Sequence, residues 1–153
     1  AAIFLNLVLQ KIVLREGNSH PDAVLRAAVS ESVRQVSFSD EMKRAVELAP
    51  MRQREDLKNS DWALHTLESA LWAVFTTRSF EEALVQAVNL GEDADTSGSV
   101  AGTIAGAIYG LDAIPARWQD QLHGEYPLRS GHIWLAADFI NLADQLSKLS
   151  SEI

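Results

Sequence analysis

The stretch NLGEDADTSGSVAGTIAGAIYG, at residues 89–110, constrains the fold more than any other part of the chain. Glycine recurs there at every fourth position, and most residues between are small or apolar. A glycine inside a helix costs about 1 kcal/mol relative to alanine, so close packing against a second helix has to offset that cost. The pattern therefore predicts a central helix over 96–109, buried on all faces, with a stripe of glycines that lets another backbone approach. The stripe consists of Gly98, Gly102, Gly106 and Gly110.

Polar residues crowd the start of this helix. Glu92, Asp93, Asp95 and Thr96 fall within five positions, and residues 79–116 contain no lysine or arginine that could pair with them. One aspartate at a helix start commonly serves as an N-cap, and Asp95 alone fits that role. The whole set fits it less well, because carboxylates beside a buried helix have to be paired or hold a cation. Oxygen ligands of this kind suit Mg²⁺ or Mn²⁺, so we predict a metal site here whose remaining ligands come from elsewhere.

Composition places the chain among globular proteins and excludes several classes of function. Of its 153 residues, 47% are hydrophobic and 22% are charged, which suits one packed domain. A net charge of −8 argues against a nucleic-acid partner, since phosphate contacts need clustered lysine and arginine. Cysteine is absent, which excludes disulfides and thiolate chemistry and favours a reducing, cytoplasmic location.

Two apolar stretches raise the question of a membrane. Residues 1–9 lack the basic flank and the cleavage site of a signal peptide. The stretch 100–111 has the glycine spacing of paired membrane helices, but both stretches are too short to cross a bilayer. No membrane partner is therefore expected. The first stretch instead predicts a helix over 2–16 that is buried nearly all round, with packing partners upstream or on another chain.

Hydrophobic periodicity and capping signals predict helices along the rest of the chain, with no strand and no tandem repeat. Ser79 and Glu82 have the spacing of a capping box. Residues 51–60 and 123–131 are predicted loops, and the mixed-charge run 52–58 is interpreted as a solvated face or, alternatively, the rim of a diphosphate pocket. The further predicted helices cover 21–36, 41–49, 61–75, 79–90, 115–122 and 131–150. The buried side of the last one is expected to consist of Trp134, Phe139, Leu142 and Leu146.

The segment from Leu64 to Trp118 resembles the C-terminal half of the ADP-ribosylglycohydrolase family, which includes the glycohydrolase that reactivates dinitrogenase reductase. The family motif is a Gly-Gly-Asp-(Ala/Thr)-Asp-(Thr/Ser) loop, a small-residue helix that ends in Tyr-Gly, then Ile-Pro and a Trp. The resemblance is strongest over residues 60–122. The matching positions are Gly91, Asp93, Ala94, Asp95, Thr96, Gly102, Gly106, Tyr109, Gly110, Ile114, Pro115 and Trp118.

This resemblance implies an all-α fold, a compact orthogonal bundle of several helices around two Mg²⁺ or Mn²⁺ ions. It implies a hydrolase that removes ADP-ribose from modified protein side chains or from related ADP-ribosyl compounds. Asp93, Asp95 and Thr96 then match metal ligands, and the two aspartates act in catalysis chiefly by holding the metals. The other ligands of the family lie in an N-terminal Thr-Asp-Asp motif, which this sequence lacks. We therefore expect residues 1–153 to be the C-terminal portion of a single domain that supplies half of the binuclear site. Such a chain needs the missing half, or a companion chain, and is inactive alone.

Two departures from the family pattern affect the substrate contacts. Glu92 replaces the second glycine of the loop, and Asp61-Trp62 replaces the Gly-Tyr pair that follows Ser60. In the family that tyrosine lies near the ribose of the ligand, so Ser60, Trp62 and Glu92 are predicted to bind substrate. The departures leave a second interpretation open, a non-catalytic structural or ADP-ribose-binding relative like the crystallin of the family. His65 is interpreted as a core or groove histidine rather than a catalyst.

Overall fold

Helices dominate the computed structural model, which describes residues 1–15 and 20–150. The chain divides into two compact units, Ala1–Ala113 and Ile114–Ile153. The predicted all-α class is confirmed, with one short hairpin added to it. The helices are α1 (Ala2–Val13), α2 (Pro21–Gln35), α3 (Asp40–Leu48), α4 (Ala63–Phe75), α5 (Phe80–Val88), α6 (Ala94–Tyr109), α7 (Ala116–Gln119) and α8 (Ala136–Ser150). Short 3-10 turns cover Ala49–Met51, Arg54–Asp56 and Leu111–Ala113, and the hairpin strands are β1 (His123–Glu125) and β2 (Ile133–Leu135).

Side-chain caps explain where two helices of the first unit begin. The Ser39 hydroxyl accepts a hydrogen bond from the Met42 amide at the start of α3. At the start of α5 the Ser79 hydroxyl accepts from the Glu82 amide at 3.1 Å, as the capping-box spacing predicts. The Glu82 carboxylate reaches back one residue further than that motif requires and accepts from the Arg78 amide at 2.9 Å. These bonds satisfy donors that a helix start otherwise leaves free.

The glycine stripe of α6 packs against α5. A β-carbon added at Gly98 would lie 3.0 Å from Cγ2 of Val88, and one at Gly102 would lie 3.3 Å from Cδ1 of Leu84. At Gly106 the gap to the Phe80 ring is wider, at 3.8 Å. The predicted close approach of a second helix is therefore confirmed.

The prediction that α6 is buried on all faces is wrong. Asp95, Ser99 and Thr103 are exposed, while Ala101 and Ile104 are fully buried. The exposed residues repeat every fourth position, so they form one polar stripe along the helix. Small side chains made the whole segment look apolar, whereas the hydroxyls of Ser99 and Thr103 mark the face that meets solvent.

Helix α1 is also less buried than its composition predicts. Phe4, Val8 and Ile12 are fully buried, but Ile3 is 67% exposed and Val13 is 68% exposed. The helix packs against α2 and α6, which cover one side of it. An apolar composition therefore did not reveal which side has neighbours. The predicted end of this helix at Glu16, its Gly17-Asn18 cap and the Ser19 start of the next helix lie outside the described residues.

The second unit corrects the predicted loop and the predicted last helix. Strands β1 and β2 pair antiparallel, with Gly124 opposite Trp134, so residues 123–131 are not wholly loop and α8 does not begin at residue 131. Trp134 lies in β2, where its indole nitrogen donates to the Tyr126 carbonyl at 3.1 Å. The run from Ile133 to Leu135 has the β-branched and aromatic residues that favour a strand, but it is too short to show a period.

The apolar side predicted for α8 exists but is not buried. Phe139 is 47% exposed, Leu142 41% and Leu146 57%. Periodicity identifies an amphipathic helix, but it does not tell whether anything covers the apolar side. The short helix predicted over 115–122 is confirmed only for Ala116–Gln119. Among the described residues, no helix is both long and apolar enough to cross a membrane.

Candidate functional site

The acidic loop, residues 91–96, joins the end of α5 to the first turn of α6. Gly91 and Glu92 both have left-handed backbone conformations, with φ of 80° and 50°. A left-handed conformation is ordinary for glycine but unfavourable for glutamate, so the backbone at position 92 would suit a glycine better. The chain then enters the helix, with Asp93 at the N-cap position and Asp95 inside the first turn.

Hydrogen bonds fix Asp93 on three sides. Its amide donates to the Asn59 carbonyl at 2.9 Å, and its own carbonyl accepts from the Ser97 amide at 3.1 Å. The Thr96 hydroxyl donates to Oδ1 of Asp93 at 2.7 Å. Asp95 differs, since its Oδ1 accepts from the adjacent Thr96 amide at 3.0 Å and its side chain is exposed. The structure thus brings Asp93, Asp95 and Thr96 onto one helical turn, and Asp95 is not the N-cap that the simpler interpretation assumed.

The chemistry of this turn fits a hard divalent cation in part. All of its side-chain donors are oxygens, and within the described chain neither Asp93 nor Asp95 forms an ion pair with lysine or arginine. Mg²⁺ and Mn²⁺ favour such ligands. In the same described residues, however, no group of three or more histidine, aspartate and glutamate side chains is placed to hold a metal. Two carboxylates and one hydroxyl are therefore an incomplete ligand set.

Asn59 organises the acidic loop, and the sequence patterns did not reveal it. Only 4% of this residue is exposed. Its side-chain amide donates to the Gly91 carbonyl, and its side-chain oxygen accepts from the Ser97 hydroxyl. A lone polar residue in a predicted loop gives no sign that it is buried, so only the tertiary structure shows this role.

Residues 52–60, which we call the strap, lie along α4 and carry Asn59. The Arg52 guanidinium donates to Oε1 of the buried Glu68 at 2.7 Å, and the Trp72 indole donates to the Arg52 carbonyl at 3.1 Å. Further along, the Ser69 hydroxyl donates to the Lys58 carbonyl at 3.4 Å. The prediction of a solvated face holds for the exposed residues 53–56 and 58 but not for the partly buried Arg52, whose guanidinium pairs with a buried carboxylate.

Trp62 and His65 line a cleft in the first unit, and Ser60 contacts both of them. Ser60 Oγ lies 2.8 Å from Nδ1 of His65 and accepts from the Trp62 amide at 3.3 Å. The Trp62 and His65 rings meet edge to face, with centroids 4.7 Å apart, and 47% of Trp62 is exposed. The cleft has a volume of about 390 Å³, and Arg44 and Lys58 also line it. Glu92 lies elsewhere, in a recess of about 160 Å³ beside Arg54.

The far end of α6 has a different electrostatic character. The Arg15 guanidinium donates to the carbonyls of Ala107 and Ile108, at 3.3 and 3.2 Å. Burial raises the pKa of the Tyr109 phenol, and the carboxylates of Glu82 and Asp22 raise it further. The carboxylates of the acidic loop are thus separated by the length of α6 from the cation that closes its other end.

A family model described as ADP-ribosylglycohydrolase matches residues 1–152. The ADP-ribosylarginine hydrolase Tri1 of Serratia proteamaculans is 44% identical over 71 residues, which are 46% of this chain and 19% of that protein. The ADP-ribosyl-(dinitrogen reductase) glycohydrolase of Rhodospirillum rubrum is 43% identical over 65 residues, which are 42% of this chain and 22% of that protein. The chain thus matches about a fifth of the length of these curated relatives.

A solved structure gives the same result at the level of the fold. A chain of an ADP-ribosylglycohydrolase-related protein complex superposes on 78% of this chain with a TM-score of 0.65 and 40% sequence identity. The superposed part is 40% of that chain.

Proposed function

Since the chain belongs to the ADP-ribosylglycohydrolase family, we propose that it is part of a metal-dependent hydrolase that removes ADP-ribose from modified protein side chains or related compounds. Relatives named as ADP-ribosylarginine hydrolase and as dinitrogen reductase glycohydrolase support this class of substrate. The observation that carries the proposal is the acidic loop, where Asp93, Asp95 and Thr96 share one turn and Thr96 donates to Asp93.

In this proposal Asp93 and Asp95 hold Mg²⁺ or Mn²⁺, and the Thr96 hydroxyl adds a neutral oxygen. Bound metals of this kind supply Lewis-acid polarisation and a template for orienting substrate and water. The contribution of this chain's own residues is to position the carboxylate oxygens. The Thr96 hydrogen bond holds Oδ1 of Asp93, and the described hydrogen bonds leave Oδ2 of the same carboxylate available. Cleavage at a ribosyl carbon proceeds through an oxocarbenium-like state, which requires the ribose and the attacking water to be held in register.

The cleft beside Ser60 and Trp62 is the proposed substrate-binding surface of this chain. Half-exposed Trp62 offers an aromatic face to a ribose or a base, and the Ser60–His65 hydrogen bond fixes the turn on which it lies. Arg44 and Lys58 are the proposed contacts of a diphosphate, and the carboxylates of Glu41 and Asp56 line the same cleft and balance their charge. Glu92 lines a separate recess, so its proposed contact would be with a different part of the substrate.

We further propose that the chain supplies half of the binuclear site and is inactive alone. The incomplete ligand set of the acidic loop supports this, as does the small share of each relative that the chain matches. The remaining ligands would come from the N-terminal half of the domain or from a companion chain. A cytoplasmic location belongs to the same proposal, and fractionation of cells that express the protein tests it.

Two assays test the function. The chain alone, titrated with Mn²⁺ in a calorimeter and then incubated with ADP-ribosyl-arginine, is expected to show no turnover. Micromolar binding together with turnover would refute the inactivity of the isolated chain. In the complete protein, replacing both Asp93 and Asp95 with alanine should lower kcat at least about a hundredfold, since even outer-shell partners of a metal contribute 10–100-fold. Full activity of that double variant would refute the catalytic role.

A second candidate function is binding without hydrolysis. It is favoured by Glu92, which occupies a left-handed position where the family has glycine, and by Asp61-Trp62 in place of Gly-Tyr. A binding protein would retain ADP-ribose in calorimetry but release nothing from ADP-ribosyl-arginine, even in the complete protein with Mn²⁺. The same double assay therefore separates the two functions.

A further inference from the structure

We propose that Asn59 is the positioning residue of the site: it sets where the Asp93 carboxylate lies, and it links that carboxylate to the Ser60–Trp62 cleft. This inference rests on the function proposed above. Asn59 contacts neither carboxylate oxygen of Asp93, so its action is indirect. The argument depends on which groups its amide and carbonyl hold, and on what holds Asn59 itself.

Asn59 binds the acidic loop on both sides of Asp93. Its side-chain nitrogen donates to the Gly91 carbonyl, two residues before Asp93, and its side-chain oxygen accepts from the Ser97 hydroxyl, four residues after it. Its backbone carbonyl accepts from the Asp93 amide at 2.9 Å. Ser97 is fully buried on α6, so one buried amide joins the loop to the rigid body of the helix.

The acidic loop needs such a support because its backbone conformation is unfavourable. Gly91 and Glu92 are both left-handed, and a glutamate leaves that conformation readily when nothing holds it. The direction in which Asp93 leaves the loop depends on these two residues. The hydrogen bond to the Gly91 carbonyl therefore fixes the backbone direction with which the chain reaches Asp93.

Asn59 is itself fixed to α4 from both neighbouring residues. The Lys58 carbonyl accepts from the Ser69 hydroxyl at 3.4 Å, and the Ser60 carbonyl accepts from the Thr66 hydroxyl at 3.5 Å. Ser60 begins the turn that carries Trp62 into the cleft. Two residues, Ser60 and Asp61, separate Asn59 from Trp62, so Asn59 sets the spacing between the aromatic contact and the carboxylates.

The experiment compares the native chain, Asn59→Ala and Val46→Ala. Val46 is buried in α3, and α3 takes no part in the hydrogen bonds described for the acidic loop. Val46→Ala therefore controls for a general loss of stability. Mn²⁺ is titrated into labelled protein, and paramagnetic broadening of the amide signals of residues 93–97 gives a midpoint even for weak binding. Hydrogen exchange of the Asp93 and Ser97 amides is measured without metal.

We expect Asn59→Ala to raise the Mn²⁺ midpoint at least about tenfold, the lower end of the range known for groups that orient metal ligands. Exchange of the Asp93 and Ser97 amides should accelerate at least about tenfold, as a locally opened loop requires. Val46→Ala should lower the unfolding temperature while leaving both quantities within about twofold of native, since distant sites act independently. A loss of stability alone would not produce this separation.

Several results would overturn the inference. A native-like midpoint together with native-like exchange in Asn59→Ala would do so, and so would equal changes in Val46→Ala. If Asn59→Ala does not fold, Ser97→Ala removes one of the bonds and must shift both quantities in the same direction. If the native chain shows no broadening localised at residues 93–97, the proposed metal role fails. The exchange rates then decide the positioning role by themselves.

Discussion

The two ends of α6 are stabilised by opposite means. At its start the neutral, buried side chain of Asn59 hydrogen-bonds to Gly91 and Ser97. The described hydrogen bonds leave one carboxylate oxygen of Asp93 and one of Asp95 without a donor. At its end the Arg15 guanidinium donates to the carbonyls of Ala107 and Ile108. Both arrangements agree with the partial charges of a helix, positive at the start and negative at the end. The exposed Arg15 at the end is bonded to the last carbonyls of the helix, whereas among the described contacts the carboxylates at the start have no cationic partner.

The two ends of α6 also differ in how closely α5 packs against them. The glycine stripe is tightest near the acidic loop, at Gly98, and widens through Gly102 and Gly106 to Gly110, where an added β-carbon would meet nothing within 4 Å. The start of α6 therefore tolerates little change in the position of its backbone. The acidic end is therefore the more closely packed of the two along the glycine stripe, although its side chains are the more exposed. Four predictions test it, in order of decreasing effect.

Asp93→Asn should lower the affinity of the chain for Mn²⁺ at least about tenfold, because it removes a charged oxygen ligand. The free energy of unfolding should change by less than about 1 kcal/mol, since asparagine is an equally good N-cap residue. Paramagnetic broadening and urea unfolding measure the two quantities. Asp112→Asn is the matched control, because it removes an exposed carboxylate just beyond the other end of α6. Equal effects of the two substitutions would contradict a specific role for the start of the helix.

Arg15→Ala should lower the free energy of unfolding by about 1 kcal/mol, the usual net contribution of hydrogen bonds that solvent partly screens. It leaves the last carbonyls of α6 without their donors. Mn²⁺ binding should not change. Urea unfolding measures the loss, and Arg34→Ala, an exposed arginine that bonds only within α2 among the described contacts, should cost less than about 0.5 kcal/mol. A change in Mn²⁺ affinity in Arg15→Ala would show that the two ends are not independent.

Replacing Gly98 or Gly106 with alanine should change the stability by different amounts, because the space for the added methyl group differs between the two positions. Gly106→Ala has room for its methyl group and should stabilise the protein by about 0.5–1 kcal/mol through helix propensity. Gly98→Ala gains the same propensity but presses on Val88 at 3.0 Å, so its net effect should be smaller or of opposite sign. Thermal unfolding of both variants decides this. An equal gain at both positions would remove the claim that the stripe tightens towards the acidic loop.

Tyr109→Phe should remove a small loss of stability at high pH. Burial, then the carboxylates of Glu82 and Asp22, raise the pKa of the phenol in the folded state. Below about pH 10 both states keep the proton, so the phenol contributes no pH dependence. Above that pH the unfolded state loses its proton first, and the free energy of unfolding falls as pH rises. Urea unfolding between about pH 8 and 11 measures the difference from native. Tyr126→Phe, at a tyrosine that is 69% exposed, is the control.

Local signals predicted the helices of the first unit and the last helix of the second, but they missed the hairpin. Ser39 and Ser79 act on their own helix starts within three residues, so the sequence shows them directly. Asp93, Asp95 and Thr96 share a turn because helical spacing requires it. Asn59 could not be found in this way, since its partners Gly91 and Ser97 are more than thirty residues away and its burial depends on the fold.

Burial was the quantity that sequence patterns predicted least well. The apolar residues of α8 have helical spacing yet are exposed, and α1 is covered on only one side. In both cases the sequence pattern identifies the apolar side of the helix, whereas the burial of that side depends on whether another element packs against it. The hairpin was missed for another reason. Three-residue strands are shorter than any window in which alternation is recognisable.

The contact between α5 and α6 has a mechanical consequence. Side chains of α5 occupy the space left by the glycines, so we expect sliding of one helix past the other to press Val88 and Leu84 against the α6 backbone. We therefore expect any change of shape on binding to involve the half-exposed Trp62 indole before it involves a displacement between these two helices.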